Sequence, residues 1–203
     1  MIEQAYRDAL ASSGAAFLAA ERRLLQAGGE ALALVRARAE AEEGADALVA
    51  RALAARLEQD GALARVLAEL EAMEHEGART VQGGPSPLYV YSYLKKHYGS
   101  TVAAGLAAYL MKLWPAWPRW MTAGVAMYVG EMGGPEVSDA LLPLALGTPD
   151  PYQREVASRA LALSGDPAVA AKLEALVAAA PPADRPELHA AAEDVRRRVE
   201  AFG

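Results

Sequence analysis

The sequence contains one spacing that could support nucleophilic catalysis. Ser92 and Lys95 fit the SxxK pattern, in which a lysine lies one helical turn from a serine that it can activate. The companion motifs of that pattern are missing, and so are HExxH, a Gly-rich phosphate loop and a GxSxG elbow. Because SxxK is too short to identify an enzyme by itself, the sequence favours a protein without catalytic residues.

The remaining titratable candidates favour structural roles. The absence of cysteine excludes thiolate metal sites, cysteine nucleophiles and a disulfide scaffold. His75 lies between two glutamates, but sequence neighbours point to different faces of a helix, which argues against a metal site there. His189 is predicted to be exposed, and Glu131 and Asp139 flank a turn, where capping is their simpler role. We therefore predict neither a cofactor nor a metal ion.

The centre of the chain differs from its flanks in charge and in aromatic content. Residues 1–84 and 131–203 each carry a net charge of −5, whereas residues 85–130 contain four basic residues and no acid. Six of the eight tyrosines and all three tryptophans also lie in this central stretch. Tyr and Trp are enriched at interfaces, where one end of the side chain is dry and the other is wet. The centre is therefore the predicted recognition site.

Two segments supply the candidate residues. On a helix beginning at Pro87, one stripe contains Tyr89, Tyr93 and either Lys96 or His97. A second stripe contains Tyr91, Lys95 and Tyr98. Both stripes cannot face the core, so at least one is predicted to face solvent or to be covered by the adjoining loop. Ordinary core packing by these aromatic rings is the alternative.

The second segment has the sequence WPAWPRW and runs from Trp114 to Trp120. Its two prolines end one helix and favour the start of the next. Its tryptophans and Arg119 could offer stacking and cation–π contacts to a partner, or could wedge two helix pairs together. We call the nine candidate residues the aromatic-basic patch: Tyr89, Tyr93, Lys96, His97, Lys112, Trp114, Trp117, Arg119 and Trp120.

The elements that carry these residues are predicted to be helices. The chain contains 48 alanines, none of them between Val81 and Val102, and alanine has the highest intrinsic helix propensity. No stretch alternates apolar and polar residues for long, so the fold class is all-α. Turns at Gly28, Asp60, Gly99, Gly133 and Gly165 recur at intervals of 32 to 39 residues, each long enough for two helices.

The last two intervals align with each other at a shift of 32 residues. Gly133 aligns with Gly165, and Leu141 aligns with Leu173, so one apolar face is repeated. A period of this length built from helix pairs is typical of a helical solenoid.

The stretch REVASRALALSGDPAVAAKLEALV (154–177) resembles a HEAT-like repeat: an Arg- and Ala-rich helix, a Gly-Asp-Pro turn and a Leu-rich helix. Residues 121–146 resemble a looser copy. The resemblance implies a right-handed α-α superhelix of about five helix pairs plus a capping helix. We expect a single domain over 1–203, with weakly matching helices over 1–76, a loop or insertion over 77–87, HEAT-like units over 88–180 and the capping helix over 186–202.

The resemblance leaves three functions open, because HEAT-like proteins mostly bind proteins, while some bind DNA and a few are glycosylases. The first is a non-enzymatic scaffold that binds a protein or acidic peptide through the aromatic-basic patch. The second is a DNA-binding, alkylpurine-glycosylase-like protein, which would need a continuous basic track, whereas the chain has a net charge of −6. The third is a pocket for an anionic small molecule between the tyrosines and Trp114.

Composition also bears on location. A hydrophobic fraction of 53% excludes intrinsic disorder. The charged residues Glu3, Arg7 and Asp8 lie where a signal peptide needs an apolar run, which predicts a cytoplasmic protein. The apolar run from Val102 to Met111 ends at Lys112, well short of the roughly 20 residues that span a membrane, so no membrane span is predicted.

Overall fold

The described part of the chain is built from helices. A computed structural model describes residues 1–58, 61–79, 87–114, 116–148 and 150–202, except for the side chains of 44, 74–79, 87–89, 91 and 101. Within these ranges the chain forms twelve α-helices, one short 3-10 turn at Gly99–Val102, and no strand, which confirms the all-α class. The helices are α1 (Ile2–Ala11), α2 (Gly14–Ala27), α3 (Gly29–Ala41), α4 (Gly44–Glu58), α5 (Ala62–Arg79), α6 (Pro87–Tyr98), α7 (Ala103–Leu113), α8 (Arg119–Met132), α9 (Pro135–Gly147), α10 (Pro151–Leu163), α11 (Val169–Ala179) and α12 (Arg185–Phe202).

Glycine and proline set several helix boundaries. Gly28, Gly99 and Gly165, three of the predicted turn residues, have φ angles of 58°, 56° and 64°, a region that costs glycine little and other residues more. At the start of α10, Pro151 follows Asp150, whose carboxylate accepts a hydrogen bond from a backbone N–H of the first turn.

Several of the predictions fall wholly or partly on residues outside the described ranges, and Pro115 of the WPAWPRW segment is such a residue. The predicted turn at Asp60 is one of them. The predicted loop or insertion over 77–87 overlaps α5 up to Arg79 and α6 at Pro87, and its residues 80–86 lie outside the described ranges.

Seven of the helices from α4 onward pack in two rows. In one row α6 contacts α8, α8 contacts α10, and α10 contacts α12; in the other, α4 contacts α7 and α7 contacts α9. Towards the amino terminus, α1 packs on α2 and α3 packs on α4. One hydrophobic core runs through all of these contacts, so that α2, α4, α5 and α7 meet around a common interior.

The repeated face predicted from the sequence alignment is buried in both copies, except at its end. Leu141 of α9 and its counterpart Leu173 of α11 are both buried. In contrast, Leu144 is 8% exposed while its counterpart Leu176 is 36% exposed. None of the helices in the described ranges is long and apolar enough to cross a membrane.

Candidate functional site

Two members of the aromatic-basic patch lie in the interior. The Lys112 ammonium donates hydrogen bonds to the backbone carbonyls of Leu10 and Ser12, the latter at 3.2 Å. Burial lowers the pKa of Lys112. Trp114 is 4% exposed, and its indole N–H donates to the side-chain oxygen of Gln153 at 3.0 Å. These contacts hold α7 and the residue after it against the end of α1 and against α10.

The α6 members of the patch are divided between packing and solvent. The hydroxyls of Tyr93 and Tyr98 both donate to the Glu69 carboxylate of α5, the latter at 2.5 Å, so tyrosines of both predicted stripes help to hold α5 and α6 together. The ring of His97 lies 4.6 Å from that of Tyr93, and both His97 and Lys96 are exposed.

Tyr89 and the two residues of the SxxK spacing also lie on α6. The side chain of Tyr89 lies outside the described residues. In the SxxK spacing, Ser92 is exposed, and the Lys95 ammonium pairs with Glu131 of α8 at 2.6 Å.

The remaining patch members lie around the connection between α7 and α8. The exposed Arg119 pairs with the Asp150 carboxylate, and its guanidinium carbon lies 5.8 Å from the centre of the Tyr152 ring. Trp120 and Trp117 are half-buried against the core. Trp117 also forms part of the wall of a cavity, so this member of the aromatic-basic patch belongs to a concave site.

That cavity, which we call the Glu21 cavity, has a volume of about 370 Å³ and lies between α2, α4, α5 and α7. Apolar side chains form much of its wall: Leu18, Leu25, Leu67, Leu70, Leu113, Ala116 and Trp117. Five polar or charged side chains complete it: Glu21, Arg22, Arg56, Glu71 and Tyr109. Small-molecule sites commonly combine an apolar wall with a few such groups.

Glu21 is the most unusual residue of the cavity, because it is an acid with only 4% of its surface exposed. One of its carboxylate oxygens accepts a hydrogen bond from the Tyr109 hydroxyl at 2.5 Å. The nearest Arg56 nitrogen lies 3.8 Å from the same oxygen, which is longer than a hydrogen bond. Burial raises the pKa of the Glu21 carboxyl, although the Tyr109 hydrogen bond and the Arg56 charge act in the opposite direction.

The partners of Glu21 are themselves fixed. Burial, followed by the Glu21 charge, raises the pKa of the Tyr109 hydroxyl, so Tyr109 keeps its proton and acts as the donor at neutral pH. Phe17 packs edge-on against the Tyr109 ring, with ring centres 5.8 Å apart. Arg56 is held by Glu71, whose carboxylate accepts a hydrogen bond from it at 2.8 Å. Tyr109 and Arg56 are therefore each held in place by a second contact.

Sequence reasoning missed Glu21, although a local signal was present. Phe17, Glu21 and Leu24 recur at helical spacing on α2, and all three are buried. An acid on an otherwise apolar face is an informative deviation, because buried acids are rare unless they are paired. The cluster was less visible, since Tyr109 lies 88 residues away from Glu21 in sequence.

The chemistry available in the cavity is that of a carboxylate, a phenol and a guanidinium. Among the described residues, no group of three or more His, Asp or Glu side chains is arranged to hold a metal ion. In comparison with known proteins, the chain matches no family model, no curated protein and no solved structure.

Proposed function

We propose that this protein binds a small molecule in the Glu21 cavity. The observation that carries the proposal is a cavity of about 370 Å³ with leucines in its wall and a carboxylate, Glu21, that is more than nine-tenths buried. Ligand sites have volumes of about 300 to 1,000 Å³ and mostly apolar walls, with a few polar groups that orient the ligand. Burial raises the pKa of the Glu21 carboxyl, and an acid perturbed in this way inside a cavity is a candidate functional group.

The cavity wall has an apolar part and a polar part, and a ligand must match both. Leu18 and Leu67 offer contacts for an apolar body, while Glu21, Tyr109 and Arg56 form the polar group that fixes one end. The body that fits is small, because the cavity has a volume of about 370 Å³. Binding therefore requires a compact molecule with one polar end.

Three probes that share a phenyl ring and differ in the polar end test the proposal: 2-phenylethylamine, 2-phenylethanol and 3-phenylpropionate. Trp117 lines the cavity, so its fluorescence reports occupancy, and titration calorimetry measures affinity independently. We expect at least one probe to bind with a stoichiometry of one.

The matched variants locate any binding. Ala116→Leu adds bulk at an exposed position of the cavity wall and should abolish binding, whereas Ala33→Leu adds the same bulk at an exposed position of α3 outside the wall. Binding that survives Ala116→Leu, or the absence of binding by all three probes, would contradict the proposal.

We also propose the finer architecture expected from the HEAT-like resemblance, a right-handed superhelix. The two rows of contacts, α6–α8–α10–α12 and α4–α7–α9, support it. Since the chain has no cysteine, spin labels can be attached to Ser92→Cys on α6 and Arg197→Cys on α12. Three steps between packed helices predict a separation of roughly 24 to 30 Å, and a much shorter separation would contradict the stacked row.

The scaffold and DNA functions stay predictions. With Lys112 and Trp114 in the interior, the accessible part of the aromatic-basic patch is smaller than the sequence indicated. For DNA, Lys95 and Arg119 are already paired with carboxylates, which reduces the positive charge offered to phosphates. The cavity is the more specific observation, and for that reason we place the ligand there.

A further inference from the structure

We infer that the Glu21 cavity selects a primary ammonium group carried on a short alkyl or arylalkyl body. This inference rests on the proposed ligand-binding function and names its chemical class. An anionic small molecule, the third function that the sequence left open, is the competing possibility. The choice between a cationic and an anionic ligand depends on two capacities. One is how many hydrogen bonds Glu21 can still accept, and the other is how many the arginines of the wall can still donate.

Glu21 has unused capacity to accept hydrogen bonds. An ionised carboxylate has about four lone-pair sites. The one hydrogen bond found for the Glu21 carboxylate among the described residues comes from the Tyr109 hydroxyl at 2.5 Å, and Arg56 stops at 3.8 Å. An ammonium group brings three donors and a positive charge, so it matches the acceptors that Glu21 has left.

The arginines offer less to an anion. Arg56 donates to the Glu71 carboxylate at 2.8 Å and to the Ala64 carbonyl at 3.5 Å, so its guanidinium is already engaged on two sides. Arg22 is exposed, and its charge is screened by water. Glu71 places a second carboxylate on the same wall. A ligand anion would therefore compete with Glu71 for Arg56 and would meet the buried charge of Glu21.

Burial makes this recognition selective. Glu21 is buried and much of the wall around it is apolar, and an ion pair is stronger where the dielectric constant is low. A neutral hydroxyl can donate one hydrogen bond to Glu21 but brings no positive charge, so the carboxylate keeps only the partial compensation that Arg56 gives at 3.8 Å. We therefore expect 2-phenylethylamine to bind at least tenfold more tightly than 2-phenylethanol, with 3-phenylpropionate weakest.

The test uses the full chain and the same three probes at pH 7.5, with Glu21→Gln as the decisive variant. The introduced amide would keep an acceptor for Tyr109 while removing the charge, so the amine should lose about tenfold to hundredfold in affinity. Glu30→Gln, which removes an exposed acid of α3 outside the cavity, should change nothing.

A pH series on the unaltered protein gives a second measurement that does not depend on a variant folding. The charged or titratable groups facing Glu21 are Tyr109, Arg56, Glu71 and Arg22. Amine affinity should rise with pH as the Glu21 carboxyl ionises, and then level off while the amine stays protonated. The alcohol and carboxylate probes should show no such rise.

The outcomes separate the two claims. Tightest binding by 3-phenylpropionate, equal binding of alcohol and amine, or an amine affinity unchanged in Glu21→Gln would overturn the ammonium inference and leave the cavity a ligand site. If none of the three probes bound, both the inference and the proposed function would fall.

Discussion

The contact between α8 and α10 allows a stability prediction from a single added methyl group. Gly130 of α8 faces the backbone of Ala160 on α10. A Cβ at Gly130 would lie 2.5 Å from the Ala160 carbonyl oxygen and 2.7 Å from its Cα. Ordinary van der Waals contacts need about 3.5 Å or more. Because the obstacle is backbone, Gly130→Ala must push the two helices apart by about 1 Å.

Two effects of opposite sign determine how much Gly130→Ala changes the free energy of unfolding. Overpacking a well-packed interior costs about 1–3 kcal/mol. Alanine in place of glycine inside a helix stabilises the helix by up to about 1 kcal/mol. The free energy of unfolding should therefore fall by about 1–2 kcal/mol, which for a chain of this size lowers the melting temperature by roughly 2–8 °C.

Circular dichroism at 222 nm during heating, repeated in urea, measures the change. Gly147→Ala is the matched control, because nothing lies within 4 Å of its added Cβ and the residue ends α9, so its melting temperature should stay equal or rise. The atoms nearest to a Cβ added in Gly105→Ala belong to the flexible side chain of Leu63, so this substitution should cost less than Gly130→Ala. If Gly130→Ala melts at or above the unaltered protein, the backbones of α8 and α10 are not in close contact at this position.

Two further predictions concern buried carboxylates. Burial alone would raise the pKa of Asp166, but hydrogen bonds from Lys172 and Ser138 outweigh it and hold that pKa at about 2. The resulting stabilisation of the folded state, about 2 kcal/mol, is present above the unfolded-state pKa of 3.8 and is lost as pH falls towards 2. Between these two pH values, the urea midpoint should therefore fall more for the unaltered protein than for Asp166→Asn. The raised pKa of Glu21 has the opposite effect on the pH dependence of stability. The contribution of Glu21 to stability is greatest below the unfolded-state pKa of 4.5 and falls as pH rises through the folded-state pKa. Glu21→Gln should therefore melt above the unaltered protein at neutral pH and close to it at pH 4; equal melting at both values would show that the acid is not desolvated.

The helices could be predicted because their signals are local. Alanine content, together with glycines at Gly28, Gly99 and Gly165, marks helices and their ends without any knowledge of tertiary contacts. The same holds for the buried repeat of Leu141 and Leu173, which follows from helical spacing.

The positions of the patch residues could not be predicted in this way, because they depend on distant parts of the chain. A lysine at position 112 is expected at the surface, yet Lys112 finds two backbone carbonyls at the end of α1, about 100 residues earlier. Trp114 likewise depends on Gln153, 39 residues later. The sequence identified residue types suited to recognition, but burial was decided by which helices pack against α7.

Glu21 links stability to the proposed function. A glutamine or a leucine on the same buried face of α2 would avoid the desolvation that raises the pKa of this carboxyl, so the acid is not explained by stability alone. Its hydrogen bond from Tyr109 offsets only part of that cost. A bound ammonium would supply further donors and, by stabilising the ionised form, would bring the pKa of Glu21 down. Ligand binding and the pH dependence of folding should therefore change together, since both depend on the charge of the same carboxylate.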